Sequence, residues 1–164
     1  VTMPTDPEKC YAEKRQNIGW QDIDNTNIKI IEGYLKILEF MKIDFTVSFR
    51  DLAKILNNKK VVKNSVFKES QDFNTWYKSW MKELNTYKKN YKDISTKMDD
   101  FNPCYIPRNH IIERGLELAS EGDMSEINEI EELLRDPCCE KNTSKKYLLP
   151  ALDDDLPYIT YCGT

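Results

Sequence analysis

Apolar positions recur at helical spacing along almost the whole chain. Between residues 26 and 41, Ile28, Ile31, Leu35 and Leu38 fall at i, i+3, i+7 and i+10, and Ile30, Tyr34, Ile37 and Met41 widen the stripe. This predicts a heavily buried helix over 26–41. Upstream, Thr5-Asp6-Pro7-Glu8 reads as a helix start, with a short helix through Tyr11 and Ile18 that stops near Gly19. Asp44 reads as the N-cap of a helix carrying Phe45, Phe49, Leu52 and Leu56. Residues 57–69 read as a loop. Asp72 reads as the cap of a helix with the stripe Phe73, Trp76, Tyr77, Trp80, Leu84 and Tyr87.

Asn102-Pro103 and Pro107 then break the chain before a helix expected over 109–119. Gly122 fits a C-cap, and Asp123 fits the N-cap of a second helix through Arg135, whose Ile127, Ile130, Leu133 and Leu134 face inward. The pair reads as an αα-hairpin at about 107–135. Asp136-Pro137 ends it. Residues 137–164, with Pro150, Asp153-Asp154-Asp155 and Pro157, read as an irregular tail packed by Tyr147, Leu148, Leu149 and Tyr158. The expected architecture is all-α: a helical region over 1–136 followed by the tail.

Composition and charge narrow the chemistry. The 164 residues include 5 Gly, 7 Pro and one His, with 40% hydrophobic and 32% charged positions, which is a globular composition. No stretch approaches the ~20 apolar residues of a membrane span, and no targeting peptide is visible. The net charge of −4 gives no reason to expect nucleic acid. Residues 1–100 carry +3 and residues 101–164 carry −7, a split read as solvated helix faces. The aromatic stripe from Phe73, with Lys78, Lys82, Lys88 and Lys89 nearby, has the residue types that stack on bases. Helical spacing assigns it instead to a core, with lysine stems lying along apolar surface.

Catalytic signatures are missing from the chain. The glycines Gly19, Gly33, Gly115, Gly122 and Gly163 are isolated, so no loop cradles phosphates. His110 lacks nucleophile and acid partners in the sequence and reads as a surface or packing residue. Glu129, Glu131 and Glu132, like Asp153-Asp154-Asp155, read as solvated acids. The cysteines are Cys10, Cys104, Cys138, Cys139 and Cys162; no Cys-x-x-Cys occurs, and the pattern does not match a zinc site. An odd count without a secretion signal points to reduced thiols.

Several blocks together resemble the selenoprotein O family. They are Asp44-Phe45-Thr46-Val47-Ser48-Phe49-Arg50, Phe73-Asn74-Thr75-Trp76, Asn102-Pro103, Arg108-Asn109, the run Glu117 to Glu126 containing Gly122-Asp123-Met124-Ser125-Glu126, and Glu132 to Pro137. The terminal Cys162-Gly163-Thr164 is similar to the family's ending, a Cys or selenocysteine followed by two small residues. The resemblance implies a protein-kinase-like fold that transfers AMP from ATP to Ser, Thr or Tyr hydroxyls of proteins, with magnesium or manganese. The family's nucleotide- and metal-binding residues lie upstream of the matched region, so none is carried onto this chain. It is expected to bind no cofactor alone, to be inactive alone, and to partner an upstream kinase-like core.

Cys162 is then the one functional position that transfers, as a redox thiol. Ile159 stands where some relatives have a second Cys, so no local redox pair is expected; a bridge to a cysteine of the missing lobe is one alternative and a free tail thiol the simpler one. Cys104, Cys138 and Cys139 are taken as incidental. Arg108 and Asn109 read as structural, Asn109 capping the helix and Arg108 bonding carbonyls or a carboxylate; the alternative has Arg108 reaching toward ATP phosphates. The resemblance implies a mitochondrial location for a eukaryotic source and a cytoplasmic one for a bacterial source. As part of a larger domain, helices 28–41 and 73–87 are expected to leave more apolar surface than the ~300–600 Å² patch of an ordinary monomer. A freestanding all-α interaction module without catalysis is the competing reading.

Overall fold

A computed structural model describes residues 14–20, 28–61, 63–87, 89–141 and 145–150. Every regular element among them is helical. The order is α1 (Ile28–Met41), α2 (Phe45–Asn58), α3 (Gln71–Thr86), α4 (Tyr91–Phe101), α5 (Asn109–Ser120), α6 (Ser125–Arg135) and a 3₁₀ turn at Lys145–Leu148. The all-α reading is therefore what the structure shows. Two compact units divide the chain, Val1–Cys104 and Tyr105–Thr164, so the hairpin groups with the segment that follows it.

In the first unit α1 packs on α3 and α2 on α4. Tyr34 lies against Phe49, Phe67 and Trp76, with ring centroids 5.2, 5.9 and 4.7 Å away. Phe67 stacks on Phe73 at 3.9 Å, and Trp76 on Trp80 at 5.4 Å. Both indoles are satisfied: Trp76 Nε1 donates to the Ile30 carbonyl at 2.7 Å and Trp80 Nε1 to that of Ile18 at 3.2 Å. Each large aromatic removes about 150–250 Å² from water, at about 25 cal/mol per Å². The stripe from Phe73 is core, as its spacing indicates.

Several local readings change. The buried face of α1 is Ile30, Ile31, Tyr34, Ile37 and Leu38; Ile28 is exposed and Leu35 only half-buried. The stripe is rotated because Tyr34 and Ile37 meet the aromatic face of α3. Ser70, not Asp72, caps α3, its hydroxyl accepting from the Phe73 N–H at 3.2 Å. Asp72 sits in the first turn, where the helix dipole favours an acid. Asp44 does cap α2, accepting from the Val47 N–H at 2.8 Å. The loop after α2 contributes Phe67 to the core. Helix α4, absent from the reading of the sequence, buries only Ile94, Ser95 and Met98, too short a stripe among charged residues to stand out.

The stripes of α1 and α3 are covered within their own unit, leaving Ile28 and Phe40 as the exposed large hydrophobics on α1 and none on α3. Gly19, at φ +86°, closes the turn after residues 14–17, where a Cβ would meet Ile94 at 2.5 Å.

The second unit is built on α5 and α6, which pack together. Their connection is a Schellman motif: the Gly122 N–H donates to the Ala119 carbonyl at 3.0 Å and the Asp123 N–H to that of Leu118 at 2.9 Å. Gly122 has φ +94°, a conformation glycine adopts without steric cost. Tyr105 fastens the following segment: its N–H donates to the Pro137 carbonyl at 3.1 Å, and its hydroxyl donates to the Lys141 carbonyl at 3.2 Å. Tyr147 is buried and Leu148 half-buried, but Leu149 is 63% exposed. The expected packing of Leu149 is thus corrected; Tyr158, Asp153 to Asp155, Cys10 and the Thr5 helix start lie outside the described residues.

Candidate functional site

Residues of the family-like blocks meet in two polar clusters, one in each unit. In the first, Arg50 leaves α2 and reaches the end of α4. Its guanidinium donates to the carbonyls of Asp99 at 2.8 Å and Asn102 at 3.3 Å, and it pairs with the Asp99 carboxylate at 3.2 Å. A cation on the last carbonyls of a helix satisfies otherwise orphaned acceptors and matches the dipole. Asn102 continues the cluster, its Nδ2 donating to the Asn17 carbonyl at 2.9 Å while Asn17 Nδ2 donates to Asn102 Oδ1 at 2.6 Å. The Asp44-to-Arg50 and Asn102-Pro103 blocks are therefore joined in space. The junction organises a helix end and presents no nucleophile.

A second device in this unit is Asp51, buried on α2. Its carboxylate accepts from the Ser65 hydroxyl at 2.6 Å and the Val66 N–H at 2.9 Å, pinning the loop that carries Phe67. A groove of about 580 Å³ between α1 and α3 is lined by Trp76 and Gly33 with Lys29, Asp72, Lys82 and Glu83.

In the second unit, Glu126 is a carboxylate only 6% exposed. Arg114 grips it with a two-pronged fork, Nε donating to Oε2 at 2.8 Å and a terminal nitrogen to Oε1. Lys146 Nζ lies 3.4 Å from Glu126 and 3.3 Å from Glu129. The Tyr147 hydroxyl donates to Glu129 Oε2 at 2.6 Å and lies 3.4 Å from Glu126 Oε1. The Arg114 bonds overcome burial and hold the Glu126 carboxyl down at about 2. Burial, followed by the Glu129 carboxylate, pushes the Tyr147 hydroxyl up to about 12. Both pKa values thus move away from neutral pH, opposite to the tuning of a general acid or base. The cluster is built to hold segments together.

Arg108, Asn109 and Asp123, singled out in the sequence, lie at the starts of α5 and α6. Arg108 is buried at 8% exposure and occupies the N-cap position of α5 without a side-chain capping bond. Asn109 is the exposed first residue of that helix, so the expected Asn109 cap is displaced by one residue and is not made. The Arg108 carbonyl accepts from the N–H groups of Ile111 at 3.1 Å and Ile112 at 3.0 Å. Asp123 does receive the Ser125 N–H, at 2.9 Å, although the formal cap position is Met124. Bonds from Ser125 lower the Asp123 carboxyl. His110 is half-buried at the start of α5.

Glu131 and Glu132 are exposed, as read from the sequence, and each carries a surface ion pair. Arg135 donates to Glu131 at 2.7 Å and Lys141 to Glu132 at 3.0 Å, and Glu129 belongs to the Tyr147 cluster. Among the described residues, no group of three or more His, Cys, Asp or Glu is placed to hold a metal ion. Cys104 is buried, Cys138 half-buried and Cys139 exposed; Cys162 lies outside the described residues. No helix among them is long and apolar enough to cross a membrane.

Two buried acids escaped the sequence reading. Glu126 shares a stripe with Ile130 and Leu133 at i, i+4 and i+7, and Asp51 sits between Ser48 and Ile55 at i−3 and i+4 on the buried face of α2. A charged residue in register with an apolar stripe was the available signal; its partners were not visible.

The family described as protein adenylyltransferase SelO matches residues 8–135. Curated relatives described as protein nucleotidyltransferase YdiU include one from Clostridium perfringens, 35% identical over 94% of this chain and 30% of its own length. Another, from Bacillus anthracis, is 32% identical over 96% of this chain and 31% of its length. A third, from Sphingopyxis alaskensis, is 30% identical over 94% and 32%. The chain spans about a third of the length of these relatives. With the motif blocks joined as the geometry shows, this chain belongs to the protein adenylyltransferase SelO family.

Proposed function

We propose that this chain is the helical C-terminal portion of a selenoprotein-O-like protein adenylyltransferase with a kinase-like fold. In the whole protein, AMP passes from ATP to protein Ser, Thr or Tyr hydroxyls with magnesium or manganese, on a nucleotide-binding core supplied by other residues. This chain supplies helical support and, at Cys162, a redox thiol. The observation that carries the reading is the match itself: nearly all of this chain aligns with about a third of each nucleotidyltransferase relative. The polar clusters agree, since their members are engaged in fastening helix ends and turns.

The test is AMP transfer from labelled ATP to a protein acceptor with Mg²⁺ or Mn²⁺. The chain alone is expected to transfer none. Labelling above a heat-denatured control overturns the assignment of the reaction to other residues. Added to a relative truncated before the matched third, the chain is expected to restore transfer. For Cys162, mild oxidant followed by alkylation and mass spectrometry should show it reacting ahead of buried Cys104; equal reactivity removes its special role.

A second reading, a non-catalytic all-α interaction module, draws on one observation. The Val1–Cys104 unit covers its own aromatic stripes. Failure to restore transfer in the truncated relative favours this reading.

A further inference from the structure

The Lys145–Leu148 turn is held in a manner its own backbone does not account for. A four-residue 3₁₀ turn has little stability alone. Its grip comes from two adjacent side chains. Tyr147 is 3% exposed and, with Tyr105, Ile111, Ile130 and Leu133, lines a small pocket that Arg108 also borders. Only about 10 Å³ remains there, the lower limit for one water. The hydroxyl donates to Glu129, and Lys146 spans Glu126 and Glu129 with Nζ 4.5 Å from the Tyr147 ring centroid. Lys145 and Leu149, on either side, are exposed.

A mostly apolar slot beside two carboxylates, filled by a lysine and a tyrosine, combines an apolar anchor with recognition of charge. Glu126 is set by Arg114 independently of the turn, so one rim charge is built in advance. We propose that the α5–α6 hairpin is a docking site for a Lys-Tyr segment, occupied in this chain by Lys146-Tyr147 as a releasable latch. Release of Lys146-Tyr147 leaves Lys141, bonded to the Tyr105 hydroxyl, as the nearest preceding hold on the hairpin among the described residues. The docking site stands on the geometry of this unit alone.

The probe is a fluorescent octapeptide, Thr-Ser-Lys-Lys-Tyr-Leu-Leu-Pro, titrated by anisotropy into the full chain carrying Tyr147→Ala. Saturable binding is expected, about tenfold or more tighter than to the unaltered chain, whose own segment competes at high effective concentration. Replacing the peptide tyrosine by alanine should abolish binding. Adding Glu129→Gln to the receptor should weaken binding about tenfold, as expected for loss of a charged acceptor. No binding by a Tyr147→Ala chain with unaltered helix content overturns the proposal, as does equal binding by the unaltered chain. A measurement on the unaltered chain covers the case in which the variant does not fold. NMR relaxation dispersion at the Tyr147 ring should reveal a minor undocked state while α5 and α6 amides stay in one state. A single shared opening, or no opening, overturns the latch.

Discussion

In the Val1–Cys104 unit, the centre is a continuous aromatic packing of Tyr34, Phe49, Phe67, Phe73, Trp76 and Trp80, and buried polar groups such as Asp51 pin its edges. In the Tyr105–Thr164 unit, a shorter set of apolar side chains, Tyr105, Ile111, Ile130, Leu133 and Tyr147, shares its interior with Glu126. The first unit derives its stability from area removed from water. The second closes a small helical pair with a salt-bridged fork and a tyrosine plug, because two short helices have too little apolar surface to cover each other. The difference teaches where each unit is vulnerable: the first to cavities, the second to changes of charge.

The largest expected effect is a cavity in the aromatic core. Trp80→Ala should destabilise the first unit by about 3–5 kcal/mol, measured by denaturant unfolding; a loss below about 1 kcal/mol would break the contrast. Next, Glu126→Gln should cost the second unit about 2 kcal/mol, because Arg114 loses its charged acceptor but, half-exposed, recovers water. Segmental hydrogen exchange should confine that loss to α5, α6 and the Lys145–Leu148 turn.

The pH dependence sharpens the same point. The Glu126 carboxyl is lowered from 4.5 to about 2, so its stabilisation is complete above about 4.5 and disappears as pH falls toward 2. The Tyr147 hydroxyl is raised from 10.0 to about 12, so its contribution is complete below about 10 and is lost as pH rises toward 12. Thermal melts followed by NMR should show α5 and α6 weakening in both windows. Gly122→Ala should cost about 1 kcal/mol from backbone conformation alone, since no atom lies within 4 Å of the added Cβ. Smallest are two variants at helix starts: Asp44→Ala, which removes a cap, should cost about 1 kcal/mol, and Asp72→Ala, which removes a first-turn acid, a few tenths. Equal losses would return Asp72 to the capping role.

Much of the helical layout was legible. Asp44, Gly122 and the spacing of Phe73, Trp76, Trp80 and Leu84 act within one or two turns, and such signals survive in sequence. Helix α4 was not legible, since Ile94 and Met98 are a weak stripe until α2 packs against them. The site was legible as blocks but not as bonds. Arg50 and Asn102 each belong to a recognisable block, yet their hydrogen bond spans fifty-two positions. Asn109 as a cap failed for a local reason: the helix takes the preceding Arg108 as its cap position, and capping choices shift by one residue at little energetic cost.

By itself, the sequence determined the all-helical class, the family resemblance and the absence of phosphate-cradling glycine loops, because periodicity and short motifs are properties of neighbouring residues. Only the tertiary structure decided that Glu126 is buried and held by Arg114, that Phe67 enters the core from a loop, and that Tyr147 is the plug of the hairpin. Those outcomes depend on which distant groups arrive to replace water, and a carboxylate or hydroxyl goes inside only where such a partner is waiting.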